Sequence, residues 1–356
     1  MLGKYKGAIF VVAVCCLVST QAAHSAWYEL DEPSNCSHWF PFQDEKNVIN
    51  EVPPAKWSGT CKNGRIHGPG KLTFFTEVGK TVIEGDFENG RLDQPGTIVG
   101  KILFRNKVVD VRYDGEFKET AMHGQGEYCF DGAFCYAGRF LRGHPAGWVH
   151  IAVVNGPVIE GEIELSGEIE QGTISYTDGD TYEGEIQNFE PNGQGVMTEA
   201  DGTRLEGQFV DRLLREGTLL APSGLRMEGR FEDGRLSGAG VVVTPQGHRF
   251  EGMYENGWIV GVGKLIFSDG SYYEGHFDKT DRSGTGQYVD FRGFSYKGEF
   301  ASDQFDGHGV FTDPAGDTCE GEWKADVLVG TGKGYMNGKA VPCIADERSI
   351  ITFLEH

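Results

Sequence analysis

Basic clusters are missing from this chain. Its 356 residues hold 32 Lys and Arg against 53 Asp and Glu, a formal net charge of −21. A surface of that sign repels nucleic acid and anionic bilayers at long range, so neither is an expected partner. Long apolar runs are also missing. The longest, Ala8 to Val18, is too short for a comfortable membrane span. Catalytic signatures are absent too: there is no His-Glu-x-x-His and no Gly-x-Ser-x-Gly. Gly261-Val262-Gly263-Lys264-Leu265 shares part of a phosphate loop but lacks its first glycine and its Ser or Thr. No cysteine spacing is C-x-x-C, so zinc and redox chemistry have no support. Asp178-Gly179-Asp180 offers too few oxygens for calcium and reads as a hairpin turn. The expectation is a non-enzymatic chain with no catalytic residue, no cofactor and no metal.

The N-terminus differs from the rest. Lys4 and Lys6 precede the apolar run, and Ala22-Ala23-His24-Ser25-Ala26 follows it. This is the layout of a secretory signal peptide over residues 1–25, with Ala23 and Ser25 fitting the cleavage site. The expected location is secreted, lumenal or periplasmic, with a signal-anchored membrane form as the alternative. Cys15 and Cys16 leave with the signal. Cys36, Cys61, Cys129, Cys135, Cys319 and Cys343 remain, an even number that favours disulfides among fifteen pairings. Asn35-Cys36-Ser37 is a glycosylation sequon.

Glycine is abundant, with 53 copies, and it is periodic. Aligned on one element, glycines fall at 115, 138, 161, 184, 207, 229, 252, 275, 298 and 321, a step of 23 with one step of 22. Looser copies lie at Gly59 and Gly85. A bulky residue stands two before the glycine and another two after, so all three share a strand face. A turn such as Asn256-Gly257 follows, then Gly-x-Gly, then a turn such as Asp269-Gly270. Asn-Gly and Asp-Gly between short alternating runs signal hairpins. Each unit is therefore one β-hairpin, and stacked hairpins bury what each leaves exposed.

These residues resemble the MORN (membrane occupation and recognition nexus) repeat. Thr181-Tyr182-Glu183-Gly184-Glu185-Ile186 with Asn192-Gly193-Gln194-Gly195 is a close match, as are the units at Gly275 and Gly298. His67-Gly68-Pro69-Gly70 and His123-Gly124-Gln125-Gly126 carry a further element common in that family. The resemblance implies an all-β, elongated single-sheet solenoid of about twelve stacked 23-residue hairpins. The array would run over 57–338, between an N-terminal cap segment at 26–56 and a C-terminal cap tail at 339–356. The unit at Gly161 lacks its aromatic, and the stretch between Gly85 and Gly115 is long; both are expected to bend or interrupt the sheet.

Two faces are candidate sites. Tyr113, Tyr136, Tyr182, Phe250, Tyr273 and Tyr296 line one; they read as solenoid core or as an aromatic groove for a protein partner. Glu160, Glu183, Glu206, Glu228, Glu251 and Glu274 form an acidic row on the other, read as a solvated face or a stripe for a basic partner. Cys129 and Cys135 flank the Asp131-Gly132 turn and are expected to pair. Cys319 with Cys343, and Cys36 with Cys61, would clip the two caps. The functional expectation is a scaffold binding a protein partner along the aromatic face. Phospholipid headgroup binding, implied by the family name, is the alternative, disfavoured by net charge. A fragment of a repeat-bearing enzyme, such as a lipid kinase or lysine methyltransferase, ranks third because the tail after Gly338 is too short for such a domain. The sequence specifies neither the partner's identity nor the oligomeric state.

Overall fold

The computed structural model describes residues 26–31, 35–40, 54–104, 107–163, 168–345 and 351–354. The expected signal peptide and its cleavage site lie outside them. The described residues form 31 strands and no helix long and apolar enough to cross a membrane. The chain is all-β, and its repeats are stacked antiparallel hairpins. It divides into two compact units, Met1–Gly195 and Val196–His356.

The first unit begins with a short hairpin, Ala26–Glu29 against Ser37–Phe40. Ser37 joins Arg65 in the one parallel pairing among the described residues. The repeats follow in order, and their glycines form a ladder. Gly70 faces Gly85, Gly96 faces Gly115, Gly115 faces Gly126, and Gly126 faces Gly138. Val149 takes one rung between Gly138 and Gly161. The sequence led us to expect a break between Gly85 and Gly115. Instead, Gly96–Phe104 and Lys107–Lys118 are longer strands that keep Ile83 opposite Ile98 and Ile98 opposite Tyr113. The extra residues lengthen the hairpin beyond the ladder. The unit at Gly161 does not interrupt the sheet either, because Ile159 is fully buried in the aromatic's place.

The second unit repeats the scheme from Arg204 to Thr312, with Gly207 facing Gly217 and so on to Gly298 facing Gly309. It ends in Gly332–Met336, Lys339–Ala345 and Ile351–Phe353, three antiparallel strands. The turns within a repeat have two central residues at positive φ, as in Asn256-Gly257 and Asp233-Gly234, whereas those between repeats have it at the glycine alone, as at Gly202 and Gly270. The former twist matches the strands on either side. Lys279-Thr280, Ser302-Asp303 and Ala325-Asp326 adopt it without glycine. The last two are held from the neighbouring repeat: the Asp303 amide donates to the Arg282 carbonyl, and the Asp326 amide to that of Phe305.

Candidate functional site

Two glycines facing each other across a strand pair leave a hollow on the aromatic face. The chain fills it in two ways. In five repeats the filler is the tyrosine two residues before the glycine. A Cβ on Gly126 would stand 2.4 Å from the Tyr113 hydroxyl, and a Cβ on Gly286 2.4 Å from that of Tyr273. Four of the five rings lie over a facing glycine pair and donate their hydroxyls three residues ahead; in the Tyr136 repeat Val149 stands opposite Gly138. Tyr113 reaches the Glu116 carbonyl at 2.8 Å, Tyr182 that of Glu185 at 2.7 Å, Tyr273 that of His276 at 2.9 Å, and Tyr296 that of Glu299 at 3.1 Å. Burial pushes Tyr182 and Tyr273 up to about 12, and raises Tyr113 and Tyr296 further still. The rings of Tyr113, Tyr136, Tyr273 and Tyr296 also meet neighbouring rings edge-on: Tyr273 lies 5.2 Å from Phe277 in its own repeat and 4.8 Å from Phe300 in the next. Such contacts join one repeat to another.

In six repeats the tyrosine position holds Ile83, Ile159, Leu205, Met227, Phe250 or Cys319. There a Leu or Ile of the second strand stands opposite the large side chain two after the glycine: Leu92, Ile169, Leu214, Leu236, Ile259 or Leu328. In five of the six it fills the hollow. A Cβ on Gly85 would meet Leu92, on Gly161 Ile169, on Gly240 Leu236, on Gly263 Ile259 and on Gly321 Leu328. The tyrosine repeats carry Met122, Pro145, Pro191, Arg282 or Phe305 at that slot, never Leu or Ile. Phe305 instead stacks on Tyr296 at 3.8 Å, and Arg282 sits 5.8 Å over Tyr273. The Trp57 repeat stands apart, with its indole over both Gly59 and Gly70 and with Ile66 buried beside it.

The expected aromatic anchor row is therefore corrected. Tyr113, Tyr136, Tyr273 and Tyr296 are 0% exposed and Tyr182 1%. They are core, because the glycine hollows admit their rings, and no partner can reach them. Phe250 alone of the six is half-buried. The acidic row is on the polar face as expected, but four of its six members face an Arg or Lys and a fifth faces a histidine. Arg226 meets Glu228 at 2.9 Å, Arg204 meets Glu206 and Arg249 meets Glu251, each at 2.5 Å. His150 lies 2.9 Å from Glu160 and Lys264 3.6 Å from Glu274. The arginines stand two residues before their glutamates, which places both on one strand face. Glu183 is exposed. The row is thus largely neutralised, and a bare stripe for a basic partner is not present. The Arg-x-Glu spacing was visible in the sequence.

All three expected disulfides are formed: Cys36–Cys61, Cys129–Cys135 and Cys319–Cys343. Cys129 and Cys135 are direct cross-strand partners. Their sulfurs lie beside Glu127 in a possible ligand cluster, but the disulfide removes both thiolates as ligands. Asp178 caps its turn by accepting the Asp180 amide, and Gly261–Leu265 lies within the strand Trp258–Ile266.

The MORN repeat family model matches residues 57–76, 113–133, 182–204, 250–272, 296–318 and 319–333. The chain is a MORN-repeat protein. No curated protein matches it in sequence. Among solved structures, it is similar to the TCP domain of SAS-4 from Drosophila melanogaster, solved in complex with a proline-rich motif of Ana2. The two are 14% identical with a TM-score of 0.23, over 50% of this chain and 85% of that one. A mutant TCP10 domain of Danio rerio CPAP is 13% identical with a TM-score of 0.25, over 70% and 99%. Scores this low carry no inference about binding.

The MORN repeats differ in what their filling leaves open. In the first unit, Tyr113, Tyr128, Tyr136, Ile151, Ile159, Ile174 and Tyr182 form one cross-strand row, and all are buried. In the second, the equivalent row begins Leu205, Leu219, Met227, Val242, Phe250, each opposite the next. All five are half-buried. The row continues through Leu265, Tyr273 and Tyr288 to Tyr296. There it meets a cavity of ≈ 610 Å³ against the C-terminal strand. Nothing in the one-repeat pattern signalled this row. In this stretch Leu236 and Ile259 of the second strand fill the hollows, and Met227 and Phe250 above them stay half-buried.

Proposed function

We propose that this MORN-repeat protein is a non-enzymatic scaffold that binds a protein partner through the aromatic face of its second unit, at Leu205, Leu219, Met227, Val242 and Phe250. The observation that carries this reading is the row itself: five apolar side chains in cross-strand register, each left partly open to solvent. The corresponding row of the first unit is closed. Aligned apolar side chains on a fixed sheet suit a partner surface, which covers them and gains their remaining burial. The ion pairs of the opposite face would add little affinity. The N-terminal layout supports export, so the partner is sought outside the cytosol; N-terminal sequencing of the mature chain tests that part.

The test is site-specific photo-crosslinking in the native host. A crosslinker at Val242 is expected to capture a discrete protein that a crosslinker at Glu228, on the polar face, does not. Met227→Glu should abolish the capture while the thermal midpoint stays within a few degrees. Equal labelling from both faces would overturn the reading. So would sedimentation of the mature chain with neutral or anionic liposomes at physiological salt, which would make lipid the ligand.

A further inference from the structure

The cavity at the far end of the second unit has a chemistry of its own. Its walls are Tyr288, Phe294, Phe305 and Phe311, with Ile351 and Phe353 of the last strand closing one side. Phe294 and Phe311 lie 5.8 Å apart, and Tyr288 and Phe305 6.5 Å apart. Its volume, ≈ 610 Å³, is within the range of pockets that enclose small ligands.

The polar groups come from two turns. Asp290 is buried and saturated: one oxygen accepts the Arg292 and Phe294 amides, and the other takes the Arg292 guanidinium at 2.7 Å. The one cation lining the cavity, Arg292, is thus paired with Asp290 and lies 5.0 Å over one face of the Phe294 ring. Asp313 and Asp317 are half-buried and each uses a single oxygen. Asp313 Oδ1 accepts the Ala315 and Asp317 amides, and Asp317 Oδ1 accepts the Asn337 amide. Among the described residues neither has an ion-pair partner. Two uncompensated carboxylates therefore sit beside aromatic rings in a confined space, on a chain whose net charge is −21. Ring faces and carboxylates attract the same thing, a cation with apolar flanks.

We propose that this cavity binds an ammonium group carried on an apolar body, with Asp313 and Asp317 taking the charge and Phe294 and Phe311 the hydrocarbon. The group belongs to a free amine or to a lysine side chain of a partner. The assignment stands apart from the protein-partner reading, since neither its residues nor its test involves the Leu205–Phe250 row.

The probes are n-hexylammonium, 1-hexanol and hexanoate, titrated into the full mature chain and followed by amide chemical shifts around Phe294, Phe311 and Asp317. Hexylammonium is expected to saturate these shifts at least about tenfold tighter than hexanol, the ratio one charge-assisted hydrogen bond supplies. Hexanoate should not bind. The paired change Asp313→Asn and Asp317→Asn, which keeps the turn-capping oxygens, should bring hexylammonium down to the hexanol level. Should that variant not fold, the ranking of the three probes on the unaltered chain still decides. A capped lysine peptide tighter than hexylammonium assigns the group to a protein; equal affinity assigns it to a free amine. Hexanol binding as tightly as hexylammonium, hexanoate binding more tightly, or no saturable shift with any probe overturns the proposal.

Discussion

Residues 204–266 and 272–312 belong to the same unit, use the same step and carry the same glycine ladder, yet their aromatic faces differ. In the later stretch Tyr273 and Tyr296 cover the glycine hollows and tie their hydroxyls to backbone carbonyls. In the earlier one Leu236 and Ile259 fill the hollows from the other strand, and Met227 and Phe250 are left half-buried above them. One void can be filled from either side but not from both. With tyrosine as the filler the row above is closed; with a second-strand filler it is open where Leu205, Met227 and Phe250 stand above, and closed where Ile159 or Cys319 does.

The comparison can be broken most sharply at the fillers. Tyr273→Ala should cost about 3–5 kcal/mol and Leu236→Ala about 2–4 kcal/mol, read from urea unfolding, because each empties a packed void. A small effect from either would mean that the hollow is not a core site. Alkaline titration tests the burial of the tyrosines next. A tyrosine whose folded pKa lies above its unfolded value near 10 stabilises the fold fully below pH 10. That contribution is lost as pH rises through the folded value, because the unfolded state gives up its proton first. The β-sheet circular dichroism should therefore fall between pH 10 and 12, together with a late rise in tyrosinate absorbance. Absorbance rising wholly near pH 10, with the sheet intact, would contradict burial. Tyr273→Phe keeps the ring and loses one hydrogen bond, so about 1 kcal/mol is expected. Smallest is Glu228→Gln on the polar face, within about 0.5 kcal/mol, as for other exposed pairs.

Much of this was legible in the sequence because period-two alternation and the 23-residue step are properties of the chain itself. The hairpins, the Asp-Gly turns and the three disulfides followed from them. What escaped depended on neighbours. Ser302-Asp303 and Ala325-Asp326 do not look like tight turns, yet they adopt positive φ, tied by their aspartate amides to the preceding repeat. The tyrosines suggested an exposed groove because a face says nothing about depth; the glycine hollows set that depth. The open row escaped because it required comparing the tyrosine position with the filler position nine or ten residues away, repeat by repeat.

The most direct measurement is a double-mutant cycle at the repeat of Gly229. Met227→Tyr alone has no room, since Leu236 occupies the hollow over Gly240. Leu236→Ala alone leaves it empty. Together they should let the new ring settle over the glycine pair, with a favourable coupling of at least about 1 kcal/mol in unfolding free energy. Additivity within about 0.5 kcal/mol would show that the two fillers do not share one void, and the account of the two kinds of repeat would fall.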